Sequence, residues 1–270
     1  MHESWRSGFA NYLTTSFVDL LRAESPHLLP TFVTEGEAEV PPIAIPHGTT
    51  ILALKCRDGV VMAGDRQATE GFQIAHRRIE KVYKADETSA IAIAGAAGPS
   101  IDMVRLFQTE LEHYEKVEGE NLSLEGKANK LAQMIRMNLP AAMQGLVVIP
   151  IFAGYDDKTG QGRIFMYDVT GGRYEDLDHY ATGSGGKDAR NSLKRLYRKD
   201  LDRQEAVRVA LEALTDAAEE DVGTAGPDFV KGIFPSVKVI TRTEFEEVPE
   251  DEVRRISEAI FAQRREEAAS

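Results

Sequence analysis

At His47-Gly48-Thr49-Thr50 an irregular N-terminal segment gives way to Ile51-Leu52-Ala53-Leu54-Lys55, which reads as a strand. From Thr49 onward strand and helix patterns follow one another closely enough to close one core. The junction is therefore either a loop entering a domain or a point of processing. The distinction decides the function, because a threonine hydroxyl is a poor nucleophile unless a base sits beside it. A threonine that becomes the first residue of a chain carries that base as its own α-amino group.

Upstream of the junction, Phe9, Leu13, Phe17, Leu20 and Leu21 recur at helical spacing and predict an amphipathic helix over residues 7–22. Pro26 and Pro30 end it, and the acidic, proline-bearing run to Pro46 (Glu35, Glu37, Glu39, Pro41, Pro42) reads as an extended linker. Residues 1–48 are thus a docking arm that stays attached or a propeptide. Acids at Glu3, Asp19 and Glu24 and the lack of an unbroken apolar run leave neither a secretory signal nor a membrane span in the first thirty residues, so a cytoplasmic location is expected. The single cysteine, Cys56, allows no internal disulfide or multi-cysteine metal site and reads as packing. A formal charge of -12 on 270 residues lacks the basic footprint of a nucleic-acid binder and serves solubility.

Past the junction, residues 50–55 and 60–64 flank Arg57-Asp58-Gly59, a hairpin turn signal, and Asp65 follows the second strand. Arg66-Gln67-Ala68-Thr69-Glu70-Gly71 reads as a polar loop before Ile79, Lys81 and a further extended stretch at Val82-Tyr83. The apolar run 89–94 ends in Gly95-Ala96-Ala97-Gly98-Pro99-Ser100, small residues that permit close backbone approach. Ser100 or its neighbour is expected to cap a helix striped by Val104, Phe107, Leu111 and Tyr114.

Singly these features are ordinary, but together Gly48-Thr49-Thr50, Gly64-Asp65, Lys81 and Ala94-Gly95 resemble the β subunits of the 20S proteasome, actinobacterial branch, over most of the chain from Gly48. In that family the mature chain begins at the position of Thr49, with an aspartate sixteen residues on (Asp65) and a lysine thirty-two on (Lys81), as here. The resemblance implies a four-layer α-β-β-α sandwich of the N-terminal nucleophile hydrolase type over residues 49–270. It also implies a propeptide over 1–48, removed by self-cleavage of Gly48-Thr49. The order of strands, two helices, strands, two helices and strands suits such layers.

The chemistry wants these residue types. A free α-amino group has a pKa of about 7.7–8.0, so near neutrality it is mostly protonated and useless as a base. Lowering it by one unit takes about 1.4 kcal/mol, which a neighbouring cation supplies. Lys81 is that cation, and Asp65 holds it charged and aimed. Thr49 then attacks a peptide carbonyl, the N–H of Gly95 receives the developing oxyanion by family position, and water releases the acyl-ester. While Gly48 stays bonded to Thr49 there is no free amine, and a glycine there sets no side chain against the hydroxyl.

Further along, Ser123 caps a helix running to about Asn138, before Pro140, and residues 146–154 and 164–168 read as strands. Thr182-Gly183-Ser184-Gly185-Gly186-Lys187 fails as a phosphate loop, because Ala181 stands at the first glycine position and Asp188 follows the lysine. By resemblance Ser184 orients the threonine amine; alone, it reads as a helix cap. Asp202 with Glu205 reads as a capping box, and Val237 with Val239 as the last strand. Asp221-Val222-Gly223-Thr224 resembles a family motif that sets Asp221 near the nucleophile, with Thr224 where a serine is usual.

The resemblance places Ala68, Ile79, Ile93 and Ala97 in the pocket for the residue before the cut, an apolar set with no acid or base among them, and Thr69 on the substrate backbone. It also implies seven-membered β rings stacked on α subunits, an ATP-dependent unfoldase that feeds them, unfolded proteins as substrate, and no cofactor, metal, nucleic acid or membrane. Rival readings are the bacterial ATP-dependent heat-shock peptidase of the same fold, a non-catalytic ring subunit, and a small-molecule amidase with an N-terminal nucleophile.

Overall fold

The computed structural model describes residues 48–70 and 73–269. The helix and linker expected before the junction lie outside the described residues, as does Gly71.

Two antiparallel five-stranded sheets form the centre. The first runs β10-β1-β2-β11-β12, from β1 (Thr50–Cys56), β2 (Gly59–Gly64), β10 (His179–Gly183), β11 (Ser236–Thr241) and β12 (Phe245–Glu247). The second runs in chain order through β5 (Val82–Asp86), β6 (Ser89–Gly95), β7 (Val148–Asp156), β8 (Gln161–Tyr167) and β9 (Arg173–Asp176). A short hairpin, β3 (Ala68–Glu70) with β4 (Gln73–His76), stands apart. It occupies the stretch read as a polar loop, where two very short strands with no alternating apolar face leave no period to detect.

Alternation along each strand sends neighbouring side chains to different cores. Ile51, Ala53, Val60, Met62 and Ile240 of the first sheet meet Ala90, Ala92, Ala94, Ile151, Ala153 and Ile164 of the second in an inter-sheet core. Small residues dominate the second sheet's side of that contact and larger ones the first's. Leu52, Leu54, Val61, Ala63, Val237 and Val239 turn the other way, onto α4 (Gly186–Leu196), α5 (Arg203–Glu220) and α6 (Glu250–Ala269). Ile91, Ile93, Phe152 and Phe165 turn onto α1 (Ala97–Glu118) and α2 (Leu124–Met137), where Phe107 meets Phe152 edge to face at 5.6 Å. Helices, sheet, sheet and helices thus follow one another. Burying each large apolar side chain contributes about 1.5–3 kcal/mol.

The caps differ in part from expectation. Ser123 caps α2 through the Gly126 amide, and Asp202 with Glu205 closes both bonds of a capping box on α5. α1, however, begins at Ala97, ahead of Ser100, with Ala96 at its cap and no side-chain bond there. Pro99 accounts for this: it is pre-set for a first helical turn and has no N–H to leave unpaired. Likewise Pro140 opens a one-turn helix, α3 (Leu139–Ala142), rather than only ending α2. β12 follows β11, so Val237 and Val239 lie on the penultimate strand. None of the described helices is long and apolar enough to cross a membrane.

Candidate active site

Register collects the candidate residues at one end of the first sheet. Thr50 pairs with Gly183, while Ile51 and Ser236 both pair with Gly64. Thr49, Asp65, Ser184 and Ser236 therefore share one edge. Lys81 comes from the second sheet, immediately before β5, and its carbonyl accepts the amide of Ile93 at 2.9 Å.

Asp65 is fully buried and meets four donors. Oδ1 accepts the Thr50 amide at 2.8 Å and the Lys81 ammonium at 2.6 Å; Oδ2 accepts the amides of Gln67 at 2.9 Å and Ala225 at 3.2 Å. All four of its lone-pair sites are matched, so the carboxylate has one orientation. Burial pushes Lys81 below the ordinary lysine value, and Asp65, then Asp221, pull it back up. The Lys81 ammonium also donates to the carbonyl oxygen of Gly48 at 3.5 Å, and the Thr49 hydroxyl donates to the same oxygen at 2.7 Å.

A second chain of bonds holds the Thr49 nitrogen. Its N–H donates to Ser184 Oγ at 3.2 Å, and Ser184 donates to Asp221 Oδ2 at 2.5 Å. Ser184 is not a helix cap; α4 is capped at Gly185 with no side-chain bond. Thr224 also donates to Asp221 Oδ2, at 2.5 Å, and lies 2.6 Å from Thr50 Oγ1. A hydroxyl has one proton, and Thr224 gives its own to the carboxylate. Thr50 must then donate to Thr224 while accepting the amide of Gly185 at 3.1 Å. Thr50, read in the sequence only as part of the junction motif and given no role there, thus joins the network, and Thr224 keeps a hydroxyl role despite its extra methyl group.

Gly48 sits against Gly223. A Cβ on Gly48 would lie 2.2 Å from the Gly223 Cα, so backbone crowding requires glycine here beyond any effect at the hydroxyl. Its amide donates to Thr69 Oγ1 at 2.7 Å. Gly95, with φ of 128° and the Val147 carbonyl oxygen 2.1 Å from where a Cβ would stand, tolerates no side chain either.

Ala68, Thr69, Ile79, Ile93 and Ala97 do line one pocket, together with Thr49, Lys81 and Gly95. Glu80, Tyr83 and Ser100 line it too, so its wall is less uniformly apolar than the first four residues imply. The Glu80 carboxylate is not free, since Oε1 accepts the amides of Lys81 and Val82 and the hydroxyl of Ser236. Among the described residues no cluster of three or more His, Cys, Asp or Glu is placed to hold a metal ion.

A threonine hydroxyl on the preceding carbonyl, beside a buried lysine–aspartate pair, is an arrangement from which nucleophilic attack on an amide can proceed. The chain belongs to the proteasome subunit family, which matches it over residues 45–230. Three similar curated proteins are each named proteasome subunit beta. That of Acidimicrobium ferrooxidans is 59% identical over 79% of this chain and 78% of its own. That of Acidothermus cellulolyticus is 52% identical over 93% and 87%, and that of Streptomyces griseus 51% identical over 94% and 90%.

Proposed function

We propose that this chain is a catalytic β subunit of a 20S proteasome core, a threonine-type endopeptidase with the N-terminal nucleophile hydrolase sandwich over residues 49–270. The observation that carries the reading is the Thr49 hydroxyl 2.7 Å from the Gly48 carbonyl oxygen, with the Lys81 ammonium on the same oxygen. That carbonyl is polarised from two sides, and the group that would attack it is already in reach. Cleavage of Gly48-Thr49 removes residues 1–48 as a propeptide and turns the Thr49 amide into an amine.

In the mature site Ser184, backed by Asp221, receives the Thr49 nitrogen, and Lys81 keeps that amine neutral enough to accept the hydroxyl proton. A substrate carbonyl then takes the place of Gly48, the Gly95 N–H bears the oxyanion, and an apolar side chain before the cut enters the pocket of Ala68, Ile79, Ile93 and Ala97. Thr69 holds the substrate backbone. Substrates are unfolded proteins delivered by an ATP-dependent unfoldase, in the cytoplasm, to homo-oligomeric seven-membered β rings paired with α subunits.

Intact-mass measurement of the purified protein tests the reading. Loss of residues 1–48, abolished by Thr49→Ala, is expected, together with turnover of an apolar fluorogenic peptide. A peptide-degrading complex that retains residues 1–48 covalently joined overturns it. Lys81→Ala is expected to fold but neither to mature nor to cleave.

A further inference from the structure

Asp65 directly follows β2 of the first sheet and Lys81 directly precedes β5 of the second, so their 2.6 Å contact depends on how those sheets are fixed at this edge. Glu80 makes the connection. On the second sheet its Oε1 accepts the Lys81 and Val82 amides, each at 3.0 Å; on the first it accepts the Ser236 hydroxyl at 2.6 Å, beside Gly64 and Asp65. Its other oxygen faces Lys238, with the ammonium 3.7 Å from Oε2.

Lys238 is an unusual neighbour. Val237 and Val239 face the helices, so Ser236, Lys238 and Ile240 face the second sheet, and Lys238 is only 3% exposed. Besides Glu80 it pairs with the exposed Glu247 of β12 at 2.5 Å. A lysine buried between two sheets persists only when paired, and the inner partner is the carboxylate that holds the backbone of Lys81. Glu80 lines the same pocket as Gly48 and Thr49, but its carboxylate bonds go to Lys81, Val82, Ser236 and Lys238 rather than to Thr49 or the Gly48 carbonyl.

We infer that Glu80, seated by Ser236 and Lys238, is a positioning residue that clamps the two sheets together so that Lys81 reaches Asp65 and the Gly48 carbonyl. This rests on the peptidase reading above. Displacement of a reacting group by about 1 Å can cost a hundredfold in rate, so a clamp of this kind is visible in kinetics.

The test follows the rate of loss of residues 1–48 and the turnover of an apolar fluorogenic peptide, with thermal melting in parallel. Glu80→Gln keeps one carbonyl oxygen for two of the three donors but turns an NH2 group toward the Lys238 ammonium, so its rates are expected to fall between wild type and Glu80→Ala. Glu80→Ala is expected to mature at least about tenfold more slowly and, once mature, to lose at least about tenfold in kcat with KM within about twofold. Because Glu80→Ala also leaves the buried Lys238 with only the exposed Glu247 as partner, Glu80→Ala/Lys238→Met is the separating variant: it is expected to recover the melting temperature and not the rates. Wild-type rates in Glu80→Ala, or rates that return with stability in the double variant, overturn the clamp. A wild-type protein that neither matures nor cleaves when assembled with its α subunits retires the peptidase reading instead.

Discussion

Thr224 shows how one hydroxyl orders several others. It gives its proton to Asp221 and takes one from Thr50, which fixes Asp221 for Ser184 and so places the Thr49 nitrogen. Thr224→Val keeps the shape and deletes the hydroxyl, leaving the buried Thr50 donor without its partner, a loss of about 1–3 kcal/mol. Peptide turnover is expected to fall about tenfold or more, whereas Thr224→Ser stays within about twofold. The pH profile reads Lys81. Burial weakens its hold on its proton, so an alkaline limb of kcat/KM that reports loss of its charge lies below the ordinary lysine value near 10.5. Asp221 favours the ammonium, so Asp221→Asn is expected to move that limb to still lower pH; a limb that rises or stays put contradicts the assignment. Thr49, Asp65 and Lys81 were legible because their spacing from the junction is a linear feature. Glu80 and Thr50 were not, because their partners lie 156 and 174 residues away.

Among the elements, the passage from β6 into α1 governs the site most directly. Gly95 ends the strand at φ of 128°, with the Val147 carbonyl oxygen 2.1 Å from a would-be Cβ, and Ala96 caps the helix that carries pocket residue Ala97. Gly95→Ala is expected to destabilise by at least about 2 kcal/mol, through a strained backbone and a collision with β7, seen as a lowered thermal midpoint. The small-residue run announced this close approach in the sequence, but where α1 starts was hidden. Serine is a familiar cap, and only the geometry shows Pro99 already inside the first turn. Ser-Val-Lys-Val-Ile concealed more. Alternation with serine and lysine on one face reads as a strand half open to water, yet both faces of β11 are covered and Lys238 lies inside.

At the scale of the whole molecule, three cores act on one site. The inter-sheet core is built from alanines on the second sheet's side, Ala90, Ala92, Ala94 and Ala153, which sets how closely the sheets approach. Ala92→Leu overpacks that layer at a cost of about 1–3 kcal/mol. Because Lys81 and Asp65 meet across the two sheets, its kcat is expected to fall more than its melting temperature alone accounts for. Leu131→Ala, on the face of α2 turned into the outer core with the second sheet, removes about 2–5 kcal/mol of stability and is expected to leave kcat of the folded protein within about twofold. The order of strands and helices, with the family resemblance, made the layers legible, whereas central strands buried on both faces read as continuous apolar runs without a period. The distance between the sheets was not readable, since it depends on which alanines oppose which larger residues.

On the proposed reading, the contact between Gly48 and Gly223 separates the first cut from every later one. Gly48 lies where any substituent would run into the Gly223 backbone. On the same reading, an incoming peptide whose residue before the scissile bond carries a side chain would turn that group toward the pocket of Ala68, Ile79, Ile93 and Ala97 and approach at another angle. The self-directed event is then a private geometry, and preferences measured on foreign peptides say nothing about how fast the enzyme is born.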